Sequence, residues 1–189
     1  DTFWLNRSMK KAGYVLPYNA YSLNGGGRLD YVAGFSRYPI KNVMSVWPEQ
    51  MQDPNTGKLF KGYRPILKFM ITYKGRDIWF YNMHLKSNSG GDPSNIEMRR
   101  AQAKHLADYM VINHNLEKDL IVLGGDFNSL TNDYDGSGAC TLDYLCLRYD
   151  DPFNTANNLV PVNLTLIGGE TNAGTSIEYA SSNVGVTYF

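Results

Sequence analysis

Apolar residues fall into short runs punctuated by glycine and proline, a pattern that predicts several strands around one long helix. Residues 120–123 form a continuous apolar run ended by two glycines, as expected of a strand buried on both faces. Two further runs, 65–73 and 77–85, flank a Lys-Gly-Arg tripeptide and predict a β-hairpin. In the second run, odd and even positions lie on opposite faces of the strand, and both faces are largely apolar. This sheet is therefore expected to be covered on both faces.

The other predicted elements place this hairpin in an α+β domain. They are helices at 2–12, 94–113 and 141–148, strands at 14–18, 28–35 and 43–47, a loop or inserted hairpin at 48–64, and scattered short strands in 150–189. Ser94 and Glu97 have the spacing of a capping box, and the helix after them has an apolar stripe of Ala103, Leu106, Ala107, Met110 and Val111. We predict one domain over 1–189, a two-sheet sandwich flanked by helices.

Composition narrows the function classes only a little. The 189 residues carry no net charge, so bulk electrostatics argue neither for nor against a polyanionic partner. No apolar run approaches the roughly 20 residues of a transmembrane helix. We expect a monomer, and the abundance of Tyr, Asn and Gly favours a secreted or periplasmic bacterial setting. Cys140 and Cys146 fit either a small disulfide loop or two buried thiols.

Candidate chemistry begins where the strand at 120–123 ends. In an extended backbone, Asp126 and Asn128 would point the same way and offer a carboxylate beside a carboxamide. Gly124 and Gly125 would leave room for a ligand or metal to approach the backbone. The alternative is an ordinary polar turn, for which Asp, Asn and Ser are common residues.

His84 ends the second strand of the predicted hairpin, and a single helix separates it from Asp126. One crossover of this kind allows the two strands to be neighbours, so their polar ends would share a rim. An imidazole, a carboxylate and a carboxamide at one rim suit hydrolysis of a phosphate ester, with a hard cation such as Mg²⁺ on oxygen ligands. The alternative for His84 is a hydrogen-bonded strand-end residue, and His105 and His114 are interpreted as surface or structural.

Four segments resemble the endonuclease/exonuclease/phosphatase superfamily, which has the deoxyribonuclease I-like fold. They occur in the family's order and at plausible spacing. They are Ser-Arg-Tyr-Pro-Ile at 36–40, Asn-Met-His-Leu-Lys-Ser at 82–87, the helix positions Arg99, Gln102, Ala103 and Leu106, and Gly-Gly-Asp-Phe-Asn-Ser at 124–129. Each segment alone is moderately specific, whereas the ordered set spans most of the chain.

The resemblance implies a two-sheet α/β sandwich with the active site at one rim and a divalent metal, Mg²⁺ or else Mn²⁺ or Ca²⁺. It implies that Asp126 orients or activates water, that Asn128 holds the phosphate or aligns Asp126, and that His84 binds or protonates the phosphate. Lys86 and Arg37 are candidate substrate-binding residues. Asp126 is the candidate metal ligand within the chain.

The family's metal-binding glutamate lies just before a helix like 2–12. Residues 187–189 resemble the approach to the family's late segment, an Asp at the start of a strand and then a terminal Ser-Asp-His. Neither segment lies in this sequence. We therefore expect the chain to be an internal fragment that is inactive alone. Robust Mg²⁺-dependent hydrolysis of a generic phosphodiester by residues 1–189 would contradict this expectation.

The favoured activity is that of a nuclease acting on nucleic acid. A lipid phosphodiesterase or an inositol phosphate phosphatase is the alternative within the same superfamily, and a binding module that kept the fold without the chemistry is the alternative outside it. Residues 48–64 and 131–160 are expected to border the rim and shape the substrate site.

Overall fold

The computed structural model describes residues 2–23, 32–46, 48–62, 64–87, 90–116, 118–129, 138, 141–145, 161–162 and 187–188. The helices within these ranges are α1 (Thr2–Lys11), α2 (Ser94–Asn113) and α3 (Thr141–Leu145). The strands are β1 (Tyr18–Tyr21), β2 (Ala33–Ser36), β3 (Ile40–Val46), β4 (Gln50–Gln52), β5 (Leu59–Lys61), β6 (Ile66–Tyr73), β7 (Arg76–His84), β8 (Leu120–Asp126), β9 (Pro161–Val162) and β10 (Thr187–Tyr188).

A four-stranded sheet in the order β3-β6-β7-β8 forms the centre of the fold. The predicted hairpin is confirmed as β6 and β7, whose two-residue turn places Lys74 and Gly75 at φ 50° and 76°. Positive φ at both positions is the requirement of a type I′ hairpin turn. Strand β7 pairs in parallel with β8, and α2 is the crossover between them.

The two faces of this sheet are covered by different layers, as the sequence predicted. Tyr81 and Met83 of β7 belong to the main core, together with Leu106 and Met110 of α2. On the opposite face, Phe69 of β6 belongs to a smaller core, against which Phe80 of β7 packs. The α+β sandwich is thus confirmed, with α2 on one face and the two-stranded sheet β1–β2 on the other.

Strand β2 lies directly against the central sheet. A Cβ atom at Gly34 would approach the ring of Phe69 to 2.7 Å, so only glycine allows this contact. Asn82 of β7 donates a hydrogen bond of 3.0 Å from Nδ2 to the carbonyl oxygen of Ala33. These contacts fix the position of β2 along β7.

Several element boundaries differ from the prediction. The strand expected at 14–18 begins only at Tyr18, because Gly13 (φ 85°) ends α1 and the amide of Tyr14 still bonds to the carbonyl of Met9. Segment 48–64 contains the hairpin β4–β5, the second of the two predicted alternatives. Of the strand predicted at 28–35, the described part begins at Ala33.

The capping box predicted for α2 is wrong. Pro93 is the N-cap residue, and its side chain makes no capping hydrogen bond. The amide of Ser94 donates instead to Asp92 Oδ1 at 2.9 Å, and Glu97 pairs with Lys58 at 2.6 Å. Val111, assigned to the apolar stripe, is 51% exposed. Cys140 and Cys146 lie outside the described residues.

A buried ion pair joins the β4–β5 hairpin to α2. Arg100 Nε donates to Asp53 Oδ1 at 2.9 Å, and its Nη2 donates to Oδ2 at 2.8 Å, with both side chains fully buried. Burial alone would raise the pKa of Asp53, but the hydrogen bonds from Arg100 and Thr56 outweigh it and lower that pKa. The forked contact therefore fixes the hairpin on α2.

We predict that Asp53→Ala lowers the free energy of unfolding by about 3–5 kcal/mol, because it leaves the guanidinium of Arg100 buried without its partner. Chemical denaturation monitored by circular dichroism measures the change. The matched control is Lys58→Ala, which removes an ion pair from the same hairpin to the same helix. Since Lys58 is half exposed, this variant should cost below about 1 kcal/mol. Equal losses in the two variants would contradict the assignment.

His114, which follows α2, lies in a buried polar cluster and is structural, as predicted. Its Nε2 lies 2.6 Å from the hydroxyl of Tyr81, and its Nδ1 lies 2.9 Å from Asp119 Oδ2. Burial lowers the pKa of His114, partly offset by the bond to Asp119, while the nearby ammonium of Lys68 lowers it further. The folded state thus favours the neutral imidazole.

This pKa direction predicts a loss of stability in acid. Below the ordinary histidine pKa of about 6.5, the unfolded chain binds a proton that folded His114 resists, so stability falls as the pH drops through this range. The pKa of His105 is also lowered by burial. We therefore compare wild type with His114→Gln, since His105 is common to both. The variant should lose less stability between pH 7 and pH 5, and parallel curves would contradict the account.

Candidate active site

His84 and Asp126 are direct partners in the parallel pairing of β7 and β8. Each ends its strand, so both side chains lie at the same rim of the sheet. His84 Nε2 is 3.8 Å from Asp126 Oδ2, and the two side chains are 38% and 36% exposed. The rim therefore presents an imidazole and a carboxylate to solvent, side by side.

Asn128 is held close to Asp126 by a different geometry from the one predicted. The strand ends at Asp126, and Asn128 has a left-handed backbone with φ 49°, so the expected extended pair is wrong. Instead, the amide of Asn128 donates to Asp126 Oδ1 at 2.9 Å, an Asx-turn contact. Phe127 between them is buried in the main core, which anchors the turn to the sheet.

The two glycines before Asp126 pack closely against strand β7 on the side where a Cβ atom would lie. A Cβ atom at Gly125 would lie 1.9 Å from the carbonyl oxygen of Met83, and one at Gly124 would lie 3.3 Å from Asn82 Oδ1. Gly125 also has φ 124°, a conformation that other residues rarely adopt. On the Cβ side of Gly125, strand β7 therefore occupies the space that the sequence left open for a ligand or metal.

The chain that continues β7 beyond His84 is held by side chains from three parts of the fold. The carbonyl oxygen of Leu85 accepts hydrogen bonds of 3.1 Å from both Asn128 Nδ2 and Arg64 Nη1. The amide of Lys86 donates to Gln102 Oε1 at 2.9 Å, and its carbonyl accepts from Arg99 Nη1 at 3.1 Å. The backbone on which His84 and Lys86 lie is thus fixed on both sides.

Arg37 is the one candidate that the structure does not bring to this rim. Ala33 lies beside Asn82, and strand β2 runs from there toward the β6–β7 turn. The ring of Tyr38 contacts that of Tyr73 at 5.2 Å, next to the turn. At about 3.3 Å per residue, the turn lies roughly 26 Å along β7 from His84.

The described donors fit part of a magnesium site. Asp126 offers one exposed carboxylate, and Mg²⁺ is commonly held by one or two carboxylates together with substrate phosphate and water. Among the described residues, no three His, Cys, Asp or Glu side chains lie close enough to hold a metal together. Asp126 alone could therefore supply one oxygen ligand, and a complete site would need donors beyond those that the described residues bring together.

The sequence indicates the residues that form the rim more clearly than those that hold it in place. Arg99 and Gln102 matched a family motif in the sequence but carried no predicted role. Both are almost completely buried on α2, where polar side chains of this size are unusual. No sequence motif around Arg64 predicts that its side chain reaches the carbonyl of Leu85.

Comparison with solved structures shows the fold that the chain shares. Sphingomyelinase C from Streptomyces griseocarneus matches 99% of this chain with a TM-score of 0.58 at 12% identity. A β-hairpin deletion mutant of beta toxin from Staphylococcus aureus matches all of it, with a TM-score of 0.59 at 15% identity. A second structure of beta toxin matches 77% of it, with a TM-score of 0.57 at 16% identity.

These neighbours have the deoxyribonuclease I-like fold, so the resemblance read from the sequence is confirmed at the level of fold. The chain spans 64%, 67% and 55% of the three matched chains, in the same order. No protein-family model matches the chain, and no curated protein does. None of the described helices has the length and apolar character of a membrane span.

We predict that Gly125→Ala lowers the free energy of unfolding by roughly 3 kcal/mol or more, because the new Cβ would overlap the carbonyl of Met83 in a strained backbone. Thermal and denaturant unfolding measure the loss. Gly75→Ala is the matched control, since Gly75 also has positive φ but nothing within 4 Å of an added Cβ. Its cost should be about 1–2 kcal/mol. A Gly125→Ala variant no less stable than the control would contradict the tight strand contact.

Proposed function

We propose that this rim hydrolyses phosphodiester bonds in the full-length protein, with Asp126, His84 and Asn128 as its catalytic residues. The observation that carries the proposal is the registered pairing of His84 with Asp126, with Asn128 bonded to the same carboxylate. It gains support from the fold, which is shared with a sphingomyelinase C.

The arrangement suits an in-line attack of water on phosphorus. The Asp126 carboxylate orients the water and accepts its proton as the new oxygen–phosphorus bond forms, while the phosphorus–oxygen bond on the opposite side breaks and the leaving alkoxide takes up a proton. His84, whose Nε2 lies at the exposed rim, donates a hydrogen bond or proton to the phosphate. Asn128 donates from Nδ2 to the carbonyl of Leu85 and from its backbone amide to Asp126, and its role in the proposal is to align the carboxylate. Lys86, two residues beyond His84, is the proposed cationic contact to the substrate.

The proposed cofactor is a divalent cation, Mg²⁺ by preference or else Mn²⁺ or Ca²⁺. Asp126 is the described residue that would hold it, as one oxygen ligand. When bound, the cation would offset the negative charge on the phosphate. The roles of His84 and Asn128 do not require either side chain to touch it.

Two substrate classes fit this chemistry, and we place the phospholipid first. The specific observation in its favour is the similarity to sphingomyelinase C along 99% of the chain. Nucleic acid, the substrate favoured by the sequence, remains the second candidate. A polynucleotide substrate should bind through many phosphates, so its cleavage should weaken steeply with added salt. A neutral lipid headgroup in a bilayer should show a far smaller salt dependence.

We predict that Asp126→Asn and His84→Gln each lower kcat by about 10²–10⁴-fold, the usual contribution of positioned acid–base groups. The measurement is hydrolysis of bis(p-nitrophenyl) phosphate by the full-length protein with Mg²⁺, and EDTA should abolish it. Sphingomyelin vesicles, phosphoinositide vesicles, DNA and RNA then identify the natural class. Cleavage of nucleic acid alone would reverse the order of the two substrates.

Matched controls use the same chemical changes away from the rim. Asp77→Asn alters a carboxylate at the opposite end of β7, where it pairs with Thr72, and His105→Gln alters a histidine of α2. Both should keep the wild-type rate. An Asp126→Asn variant as active as Asp77→Asn would refute the assignment. A wild type without hydrolytic activity would favour a binding module on the same fold.

A further inference from the structure

Arg99 and Gln102 lie one helical turn apart on α2 and contact the same residue of the rim. Gln102 Oε1 accepts the amide hydrogen of Lys86 at 2.9 Å, and Arg99 Nη1 donates to the carbonyl of Lys86 at 3.1 Å. Gln102 is 4% exposed and Arg99 is 1% exposed. Burial of a guanidinium and a carboxamide is unfavourable unless their hydrogen bonds compensate, so their presence on the packed face of α2 requires a reason.

We propose that Arg99 and Gln102 are positioning residues, which hold the main chain of Lys86 between them and thereby fix His84 opposite Asp126. This inference rests on the proposed function, and it adds a role for α2 that the catalytic residues alone do not reveal. A leucine or methionine at either position would leave one backbone group of Lys86 without its partner on α2.

The coupling to the catalytic residues runs through consecutive peptide groups. Lys86 follows Leu85, whose amide donates to the carbonyl of Asp126 at 2.9 Å. The carbonyl of Leu85 accepts from Asn128, whose own amide bonds to the carboxylate of Asp126. A shift of Lys86 therefore displaces Leu85, and with it the relation of Asn128 and Asp126 to His84. Arg99 and Gln102, here called the clamp, therefore act by fixing the main chain of Lys86.

Four variants of the full-length protein separate positioning from stability. Gln102→Met removes the acceptor and keeps the volume, whereas Gln102→Glu keeps an acceptor oxygen. Arg99→Lys keeps the charge and loses the planar fork. Arg100→Lys is the matched control, because Arg100 is the next residue of the same helix and is equally buried, but it bonds to Asp53.

We expect Gln102→Met and Arg99→Lys to lower kcat for bis(p-nitrophenyl) phosphate by about 10–100-fold, since small misplacements of catalytic groups have effects of this size. Gln102→Glu should restore most of the rate. Arg100→Lys should lose stability and keep kcat. The proposal is overturned if Arg99→Lys and Gln102→Met lose no more kcat than Arg100→Lys does.

A second measurement does not depend on activity. Nuclear magnetic resonance spectra of the same variants should show displaced His84 ring signals and faster amide exchange at Lys86 in Gln102→Met, with neither change in Arg100→Lys. If the wild type proves inactive, the proposed function fails, but displaced His84 signals still support the clamp. Unchanged His84 signals overturn the clamp, whether or not the variants lose activity.

Discussion

The candidate site depends on one constraint, the parallel pairing of β7 with β8 in a register that places His84 opposite Asp126. A slip of one residue would turn Asp126 away from the rim and expose the apolar residues that now face α2. Tyr81, Met83, Ile121 and Leu123 all belong to the core beneath that helix. The same apolar packing that stabilises the sheet therefore also fixes the distance between the imidazole and the carboxylate.

Around this pairing, two residues with positive φ bring backbone segments into close contact. Gly125 brings the end of β8 against the carbonyl of Met83, and Asn128 adopts the left-handed conformation that turns the chain back toward Leu85. Buried polar groups from α2 hold the main chain of the rim at Lys86. Such a site has its geometry set before any substrate arrives, which is the arrangement that favours transition-state stabilisation.

Sequence patterns predicted the features of the fold that depend on the spacing of residues along the chain. Alternation along 77–85 identified both faces of β7, and the single helix between His84 and Asp126 indicated neighbouring strands. The patterns did not predict what depends on how layers meet. The direction of β2 across the sheet carries Arg37 away from the rim, and the space beside Gly125 is filled by another strand. Asp92 replaces the predicted capping residues of α2 because its carboxylate reaches the amide of Ser94.

The most direct test of the account is hydrolysis of bis(p-nitrophenyl) phosphate by the full-length protein and by its Asp126→Asn variant, with and without EDTA. The account predicts metal-dependent cleavage by the wild type and a loss of about 10²–10⁴-fold in the variant. Equal cleavage by both proteins would contradict the central claim that the paired ends of β7 and β8 form the catalytic site.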